Sequence, residues 1–306
     1  MLRLNSFSEL NEIENTVNLA IGFFDGVHVG HQAVIRNIIC SDESPAVVLT
    51  FDPHPLSILS PSQSPPIITP SEHKQNLIEK LGADYLLVIN FDESRANQSA
   101  EEFVGEIVAS CTLKSISVGN EFRFGYERKG DVNLLTELGK SLGFKVNGID
   151  RVCDESGDVI SSTRVRESLK SGDLKDANSL LGREFSISGQ VIKGDGVGRR
   201  MSFPTANIDI FEPVAIPNGV YAVLANLEGE SFQGVANLGI RPTVMGSNNS
   251  DPKLEVYLFN FDRMIYGENL EVSFVNYIRE EKKFNSVDDL KDQISNDVKE
   301  AKKIFH

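Results

Sequence analysis

The chain has 306 residues, of which 40% are hydrophobic and 24% are charged, a balance typical of a globular protein with buried cores. Its formal net charge of −14 argues against a general nucleic-acid binder, so an anionic ligand must be held by local groups or by metal ions. No apolar run approaches the length of a membrane span, and the N-terminal residues lack the apolar core of a signal peptide, which predicts a cytoplasmic protein without a membrane partner.

Cys40, Cys111 and Cys153 lie far apart in the sequence and match no zinc-ligand spacing. This usage agrees with a reducing compartment. We expect the three thiols to pack as small buried hydrophobic side chains.

In the first half of the chain, short apolar runs alternate with segments of helical periodicity. The predicted strands are residues 18–21, 46–51, 85–89 and 116–118; the predicted helices include 34–40, 71–81, 134–142 and one that follows a Ser99–Glu102 capping box. This alternation predicts a parallel, doubly wound, Rossmann-like α/β sheet. In such sheets ligands bind beyond the carboxyl ends of the strands.

The segment 22–31, Gly-Phe-Phe-Asp-Gly-Val-His-Val-Gly-His, directly follows the first apolar strand. Gly22 and Gly26 allow a tight turn, after which His28 and His31 begin a helix and project from the same side of its first turn. The free N–H groups of that turn and the helix dipole favour an anion, and two imidazoles would stabilise developing phosphate charge. The competing interpretation is a pair of surface histidines beside a glycine turn.

Two further segments follow predicted strands. Pro53 and Pro55 bracket a stiff loop, which composition alone describes equally well as a rigid turn. Residues 119–125 carry Asn120 and Glu121 beside aromatic side chains that could simply belong to the core.

Residues 160–166 begin another predicted helix. Ser161 or Ser162 is expected to cap it whatever its function. Arg164 is a cation at a helix start, where the dipole disfavours it, and a nearby phosphate would explain its position. Arg166 is expected to be an outward structural or salt-bridging residue.

The second half of the chain has a different pattern, with short strands separated by turns. The predicted strands are residues 185–192, 220–226, 232–237, 254–259 and 270–275, and only 286–305 is clearly helical. This spacing predicts an all-β barrel followed by an amphipathic helix. We therefore predict domains at residues 1–182 and 183–306.

A glycine-rich loop opens the second predicted domain. Gly194, Gly196 and Gly198 permit close backbone approach to phosphates, and Thr205 and Asn207 offer hard oxygen donors for Mg²⁺. Without further information, a flexible hairpin loop followed by a proline-turned strand describes this run better.

Glu255 alternates with apolar Leu254 and Val256, so it points away from their face of the strand. Considered alone, it would be a solvated strand glutamate. Arg279 follows later and would position a ligand or pair with an acid.

Several of these segments together resemble one family. Residues 22–31, 119–125 and 160–166 are similar to the adenylyltransferase motifs of the bifunctional bacterial riboflavin kinase/FAD synthetases, within the HxGH nucleotidyltransferase superfamily. Residues 194–207 are similar to the riboflavin kinase signature G-x-G-x-G-R-x-x-G-F-P-T-A-N of the same family, with Ser202 in place of a glycine. Glu121 stands where the family has Asp or Asn. The matches run in family order over nearly the whole chain.

The resemblance implies two reactions and assigns residues to them. The first is riboflavin + ATP → FMN + ADP in the barrel, and the second is FMN + ATP → FAD + pyrophosphate in the N-terminal domain. It implies that Glu255 accepts the riboflavin hydroxyl proton and that Thr205 and Asn207 hold Mg²⁺. It also implies that His28, His31 and Arg164 stabilise the charge that develops in adenylyl transfer. The implied ATP-binding residues are Gly22, Phe23, Asp25, Gly26, Ser162, Thr163, Gly194, Gly196 and Gly198, and the implied flavin-binding residues are Pro53, Pro55, Asn120, Glu121 and Arg279.

Three alternatives compete with this interpretation. A kinase with a decayed first domain would not retain His28, His31 and the Ser162-Thr163-Arg164 run. A different nucleotidyltransferase would not carry the second signature. A flavin-binding regulator would show a basic face or a DNA-reading module, and a storage protein would not need two ATP-type sites.

Overall fold

A computed structural model describes residues 1–194, 198, 201, 203–210, 214–240, 252–284 and 286–305. Contacts between Cα atoms divide the chain into two units. The first comprises Met1–Pro65 and Lys74–Ser161, and the second comprises Pro66–His73 and Ser162–His306. Relative to the predicted domain ranges, this division groups 66–73 and 162–182 with the C-terminal half; the ranges 1–182 and 183–306 stay a prediction.

The first unit is built on a six-stranded sheet with the order β1-β4-β3-β2-β5-β6, and every adjacent pair is parallel. The strands are β1 (Leu2–Leu4), β2 (Val17–Ile21), β3 (Ala46–Asp52), β4 (Tyr85–Asn90), β5 (Leu113–Gly119) and β6 (Lys145–Ile149). From β2 the chain proceeds to β3 and β4 on one side, whereas β5 and β6 lie on the other. The strand order therefore reverses between β2 and β5, which is the position where open α/β sheets bind ligands.

Helices cover both faces of this sheet, because alternate residues of its central strands enter two separate cores. Leu19 and Leu49 belong to the core that α5 closes, and Ala20 and Val48 to the core that α1 closes. The helices are α1 (Val29–Ile39), α2 (Pro55–Leu59), α3 (Ser71–Leu81), α4 (Glu93–Ala96), α5 (Ala100–Ser110) and α6 (Val132–Leu142). The predicted doubly wound parallel sheet is confirmed.

The second unit contains a closed barrel with the order β10-β11-β8-β7-β12-β9, in which the neighbouring strands pair antiparallel. The strands are β7 (Ser186–Ile192), β8 (Ala206–Asp209), β9 (Gly219–Leu227), β10 (Glu230–Ile240), β11 (Pro252–Leu258) and β12 (Asn269–Arg279). Within the described residues of this unit lie the helices α7 (Ser162–Ser171), α8 (Leu174–Leu181) and α9 (Val287–Ile304). Ala301 of α9 packs on Val220 and Val235 outside the barrel, so the predicted barrel with a terminal helix is confirmed.

Pro66–His73, a segment from the first half of the chain, lies against this barrel. The backbone N–H of Ala215 donates to the Ile67 carbonyl at 2.8 Å. The ring nitrogens of His73 lie 2.8 Å from Ser188 Oγ and 3.0 Å from Ser186 Oγ, both on β7. Composition had indicated only a proline-rich loop at this position, since nothing local reveals a partner more than a hundred residues away.

The expectation of buried thiols is wrong for two cysteines. Cys40 and Cys153 are exposed, and only Cys111 is half-buried. Both exposed residues lie at or beyond element ends, Cys40 at the end of α1 and Cys153 after β6. Among the described helices, none has the length and apolar character needed to cross a membrane.

The predicted capping box of α5 is present and has a pH dependence. The backbone N–H of Ser99 donates to Glu102 at 2.8 Å, while Ser99 Oγ accepts from the Glu102 N–H at 3.1 Å. The Ser99 N–H, and then its hydroxyl, hold the pKa of Glu102 below its ordinary value.

We expect Ser99→Ala to lower the free energy of unfolding by about 1 kcal/mol at neutral pH, measured by urea denaturation.

Because the Glu102 pKa is lowered in the folded state, the contribution of Glu102 to stability is present above the ordinary carboxyl pKa and is lost as the pH falls through the folded value. The difference between wild type and Glu102→Gln should therefore shrink on acidification. A difference that does not vary with pH, or an equal effect of Glu101→Gln in the same turn, would contradict this.

Candidate active sites

The first candidate site begins where β2 ends, at the reversal of the strand order. Phe24, Gly26 and Val27 all have positive φ, at 55°, 85° and 41°. A methyl group at Gly22 would lie 2.8 Å from the Phe24 ring, so the turn requires glycine at that position. The segment 22–28 thus reverses the chain within a few residues and delivers it to the start of α1.

His28 and His31 lie together at the N-terminus of α1. Their rings stack with centroids 3.6 Å apart and an interplanar angle of 18°. His28 is the N-cap residue, and its Nδ1 accepts the backbone N–H of His31 at 3.3 Å. Since Nδ1 is an acceptor, the neutral ring carries its proton on Nε2. The predicted pairing of the two histidines on one side of a helix start is therefore present.

Lys74 supports the first turn of this segment, and the sequence analysis did not select it. Only 5% of this residue is exposed. Its Nζ donates to the Phe23 carbonyl at 3.3 Å and to Thr50 Oγ1 at 3.4 Å, and lies 4.4 Å from the centroid of the Phe23 ring. Thr50 Oγ1 also donates to the Phe23 carbonyl at 2.9 Å. A lysine inside a helical pattern of mixed charge gives no sequence signal of this contact.

The loop after β3 meets the same turn. The His54 ring, between Pro53 and Pro55, lies edge-on to Phe23 at 4.0 Å. Pro55 is the first residue of α2, and His54 Nδ1 caps that helix by accepting the Leu56 N–H at 3.0 Å. The structure thus brings the loop with both predicted flavin-binding prolines next to the predicted ATP-binding residue Phe23.

Asn120 and Glu121 follow β5, on the other side of the strand reversal, and both have partners within the chain. Asn120 Nδ2 donates to Asp150 Oδ1 at 2.6 Å, and Glu121 forms an ion pair with Arg151. Both residues are exposed. A ligand that used these groups would replace the present contacts.

Ser162, Thr163 and Arg164 lie in the first turn of α7, as predicted, but α7 belongs to the second unit. Their joint action with His28 and His31 therefore stays a prediction. Arg166 has the structural role expected of it, since its Nε donates to the Pro66 carbonyl at 2.9 Å.

The second candidate site lies on the outer face of the barrel. Asn207 of β8, Glu255 of β11 and Asn237 of β10 are direct partners in the strand register, so their side chains share one face. The residues beside Glu255 on its strand, Leu254 and Val256, are fully buried on the opposite face. The orientation predicted for Glu255 is confirmed, and the structure adds that it is a neighbour of Asn207.

The described glycines of the second signature lie against its polar residues. A methyl group at Gly194 would lie 2.3 Å from Asn207 Nδ2, and one at Gly198 would lie 2.3 Å from the Phe203 carbonyl and 3.3 Å from Thr205 Oγ1. The backbone at these two glycines therefore lies close to the Asn207 carboxamide and to the Phe203 carbonyl. Gly196 and Ser202 lie outside the described residues.

Asn207 has the properties of a metal ligand. Its Oδ1 is buried and has no hydrogen-bond partner among the residues that the structure describes, a costly arrangement that a cation would relieve. Over the same residues, no group of three or more His, Cys, Asp or Glu side chains could hold a metal ion. The donors on offer are an amide and a hydroxyl, which suit a cation that takes its remaining ligands from water and from nucleotide phosphates.

Arg279 is occupied by an ion pair. Its guanidinium donates to both carboxylate oxygens of Asp297 on α9, at 2.8 and 2.6 Å, and Gln293 donates to the same carboxylate. Asp297 is almost completely buried. Of the two roles that the sequence left open, the structure shows the pairing with an acid.

Comparison with known proteins matches a family model to each half of the chain. The family model for FAD synthetase matches residues 10–164, and the model for riboflavin kinase matches residues 181–305. A bifunctional riboflavin kinase/FMN adenylyltransferase from Haemophilus influenzae is 39% identical, with complete coverage of both chains. The chain belongs to this family. The bifunctional riboflavin kinase/FMN adenylyltransferase of Bacillus subtilis is 36% identical over 94% of this chain and 92% of its own.

A solved structure from Streptococcus pneumoniae, described as a macrolide-efflux protein, is similar over 99% of both chains, with 28% identity and a TM-score of 0.76. Membership in the riboflavin kinase/FMN adenylyltransferase family confirms the function predicted from the sequence. The two activities are assigned by family models to separate parts of the chain.

Gly194→Ala should impair the kinase selectively. The added methyl group displaces the flexible Asn207 carboxamide rather than the backbone, so the barrel should still fold. We expect riboflavin phosphorylation to fall by about 100-fold, the scale of a misplaced reacting group, with adenylylation of supplied FMN unchanged. Gly105→Ala, where the methyl group meets open space, is the matched control. Retention of full kinase activity would show that Asn207 needs no fixed position.

Lys74→Met should impair FMN adenylylation. Without the ammonium group, the Phe23 carbonyl loses a charged donor, which corresponds to about tenfold or more in affinity or rate. We expect the KM for ATP in FMN adenylylation to rise while riboflavin phosphorylation stays constant. Lys80→Met, in the last turn of the same helix, is the control. A parallel loss of both activities would instead indicate a general loss of folded protein.

Proposed function

We propose that the barrel phosphorylates riboflavin with Mg²⁺-ATP and that the N-terminal sheet domain adenylylates the resulting FMN. The observation that carries this assignment is the strand register, in which Glu255 lies beside Asn207, far along the chain from the stacked histidines. The buried Oδ1 of Asn207 has no hydrogen-bond partner among the residues that the structure describes. Each reaction thus has its own set of groups for phosphate chemistry. Because both reactions consume ATP, we place the enzyme in the cytoplasm.

In the kinase reaction, Glu255 accepts the proton of the riboflavin 5′-hydroxyl as its oxygen attacks the γ-phosphorus of ATP. The bond to the β,γ-bridging oxygen breaks, and ADP leaves. Thr205 and Asn207 would hold Mg²⁺, which neutralises phosphate charge when bound. Gly194, Gly196 and Gly198 allow the backbone to approach the phosphates. The adjacency of Asn207 and Glu255 supports this division of roles, because it places a cation ligand next to the base.

In the adenylyl transfer, a phosphate oxygen of FMN attacks the α-phosphorus of ATP, and pyrophosphate leaves. His28, His31 and the N-terminus of α1 stabilise the charge that develops, and Arg164 assists with the leaving pyrophosphate. No protein nucleophile is needed, since the protein positions the two substrates and stabilises charge. ATP is received by Gly22, Phe23, Asp25, Gly26, Ser162 and Thr163, and the flavin by Pro53, Pro55, Asn120 and Glu121. Arg279 is also proposed as a flavin contact, in which case its guanidinium serves both the ligand and Asp297.

The test is chromatography of flavins after incubation of the protein with riboflavin, ATP and Mg²⁺. Wild type should yield FAD, His28→Ala should stop at FMN, and Glu255→Gln should form no FMN from riboflavin but still convert supplied FMN to FAD. Loss of a positioned general base costs roughly 100- to 10,000-fold. Glu230→Gln, on neighbouring β10, is the control for Glu255. If Glu255→Gln kept full kinase activity, the proposed base would be wrong; if His28→Ala still formed FAD at the wild-type rate, the histidine pair would not take part.

A further inference from the structure

We propose that Lys253 is a positioning residue for the kinase reaction, and that it acts by holding the carboxylate of Glu255. This inference rests on the role proposed for Glu255. Lys253 Nζ lies 2.5 Å from Glu255 Oε1, and the two side chains are 28% and 30% exposed. A contact with one carboxylate oxygen fixes the rotamer of Glu255 and directs its other oxygen to the hydroxyl proton.

The strand geometry makes this contact local and specific. Residues two apart on a strand share a face, so Lys253 and Glu255 both project from the outer face of β11. Across the sheet, Lys253 is opposite Asp209 on β8 and Gly239 on β10. Gly239 contributes no side chain, and the Glu281 carboxylate occupies the space over it.

The same face is rich in carboxylates. Besides Glu255, it carries Asp209 opposite Lys253, and the Glu281 carboxylate lies over Gly239, where an added methyl group would be only 2.0 Å from Glu281 Oε1. Asn237 Nδ2 donates to Glu281 at 3.4 Å. The neighbouring carboxylates and the anionic nucleotide both repel a carboxylate base. A nearby cation counteracts this repulsion and keeps the base in one place. Lys253 is suitably placed for this purpose.

An ordinary surface ion pair of this exposure contributes little to stability. A structural role alone would therefore leave the kinetics of Lys253→Met close to those of wild type. A positioning role has a different signature, in which kcat falls and KM does not, because the base is misdirected only in the reacting complex.

The experiment is steady-state kinetics of riboflavin phosphorylation by the full-length protein. For Lys253→Met we expect kcat to fall by about tenfold, a fraction of the full contribution of a general base. The KM values for riboflavin and ATP, the thermal midpoint and the adenylylation of supplied FMN should stay at wild-type values. Lys253→Arg should recover most of the activity, since it keeps a cation within reach of the carboxylate. The control is Lys303→Met, which removes a pair of similar length, 2.6 Å to Glu300 on α9.

A double-mutant cycle with Glu255→Gln decides how Lys253 acts. If it acts through Glu255, adding Lys253→Met to Glu255→Gln causes no further loss in single-turnover FMN formation. An equal tenfold loss in both backgrounds would overturn the proposal in favour of a direct contact with the nucleotide, and so would wild-type kcat in Lys253→Met. Wild-type kinase activity in Glu255→Gln itself would instead refute the proposed base, an outcome that the single variant reveals separately.

Discussion

The parallel pairing of β2 with β3 on one side and β5 on the other determines where the first site can form. Because the chain leaves these strands in opposite directions, their carboxyl ends are not closed by a common connection. The turn 22–28 follows β2 directly, and its positive φ angles bring α1 to the sheet edge with its N-terminus and both histidines. Thr50 at the end of β3 and Lys74 on α3 then hold the Phe23 carbonyl. The site is thus a product of strand order and not of one local motif.

A strongly acidic protein that handles two ATP-dependent reactions must attract phosphate by short-range means. In the proposed adenylyltransferase site, these means are oriented N–H groups and stacked imidazoles. In the proposed kinase site, they are neutral oxygens and close backbone approach, together with a lysine beside a glutamate. These groups act within a few ångströms, where the overall field of the protein matters little. High net negative charge and phosphate chemistry are therefore compatible.

The sequence predicted those features that depend on local order. Periodicity identified both architectures, and alternation along β11 fixed the face of Glu255. Other features depend on residues distant in sequence and could not be predicted. Lys74 contacts a loop 51 residues earlier, His73 bonds serines 113 and 115 residues later, and Arg279 meets its acid on a helix 18 residues on. The short strand β8 was missed because its four residues lie within a glycine- and proline-rich run.

The attachment of Pro66–His73 to the barrel has a consequence for how the two enzymes can be separated. A fragment that starts at residue 183 carries the whole barrel sequence but not the imidazole between Ser186 and Ser188, nor the backbone that pairs with Val214. The hydroxyls of Ser186 and Ser188 and the backbone at Val214 would then be exposed to solvent. A single cut at residue 183 therefore removes contacts that the barrel makes in the full chain. A transplanted kinase that also carries residues 66–73 would keep these contacts.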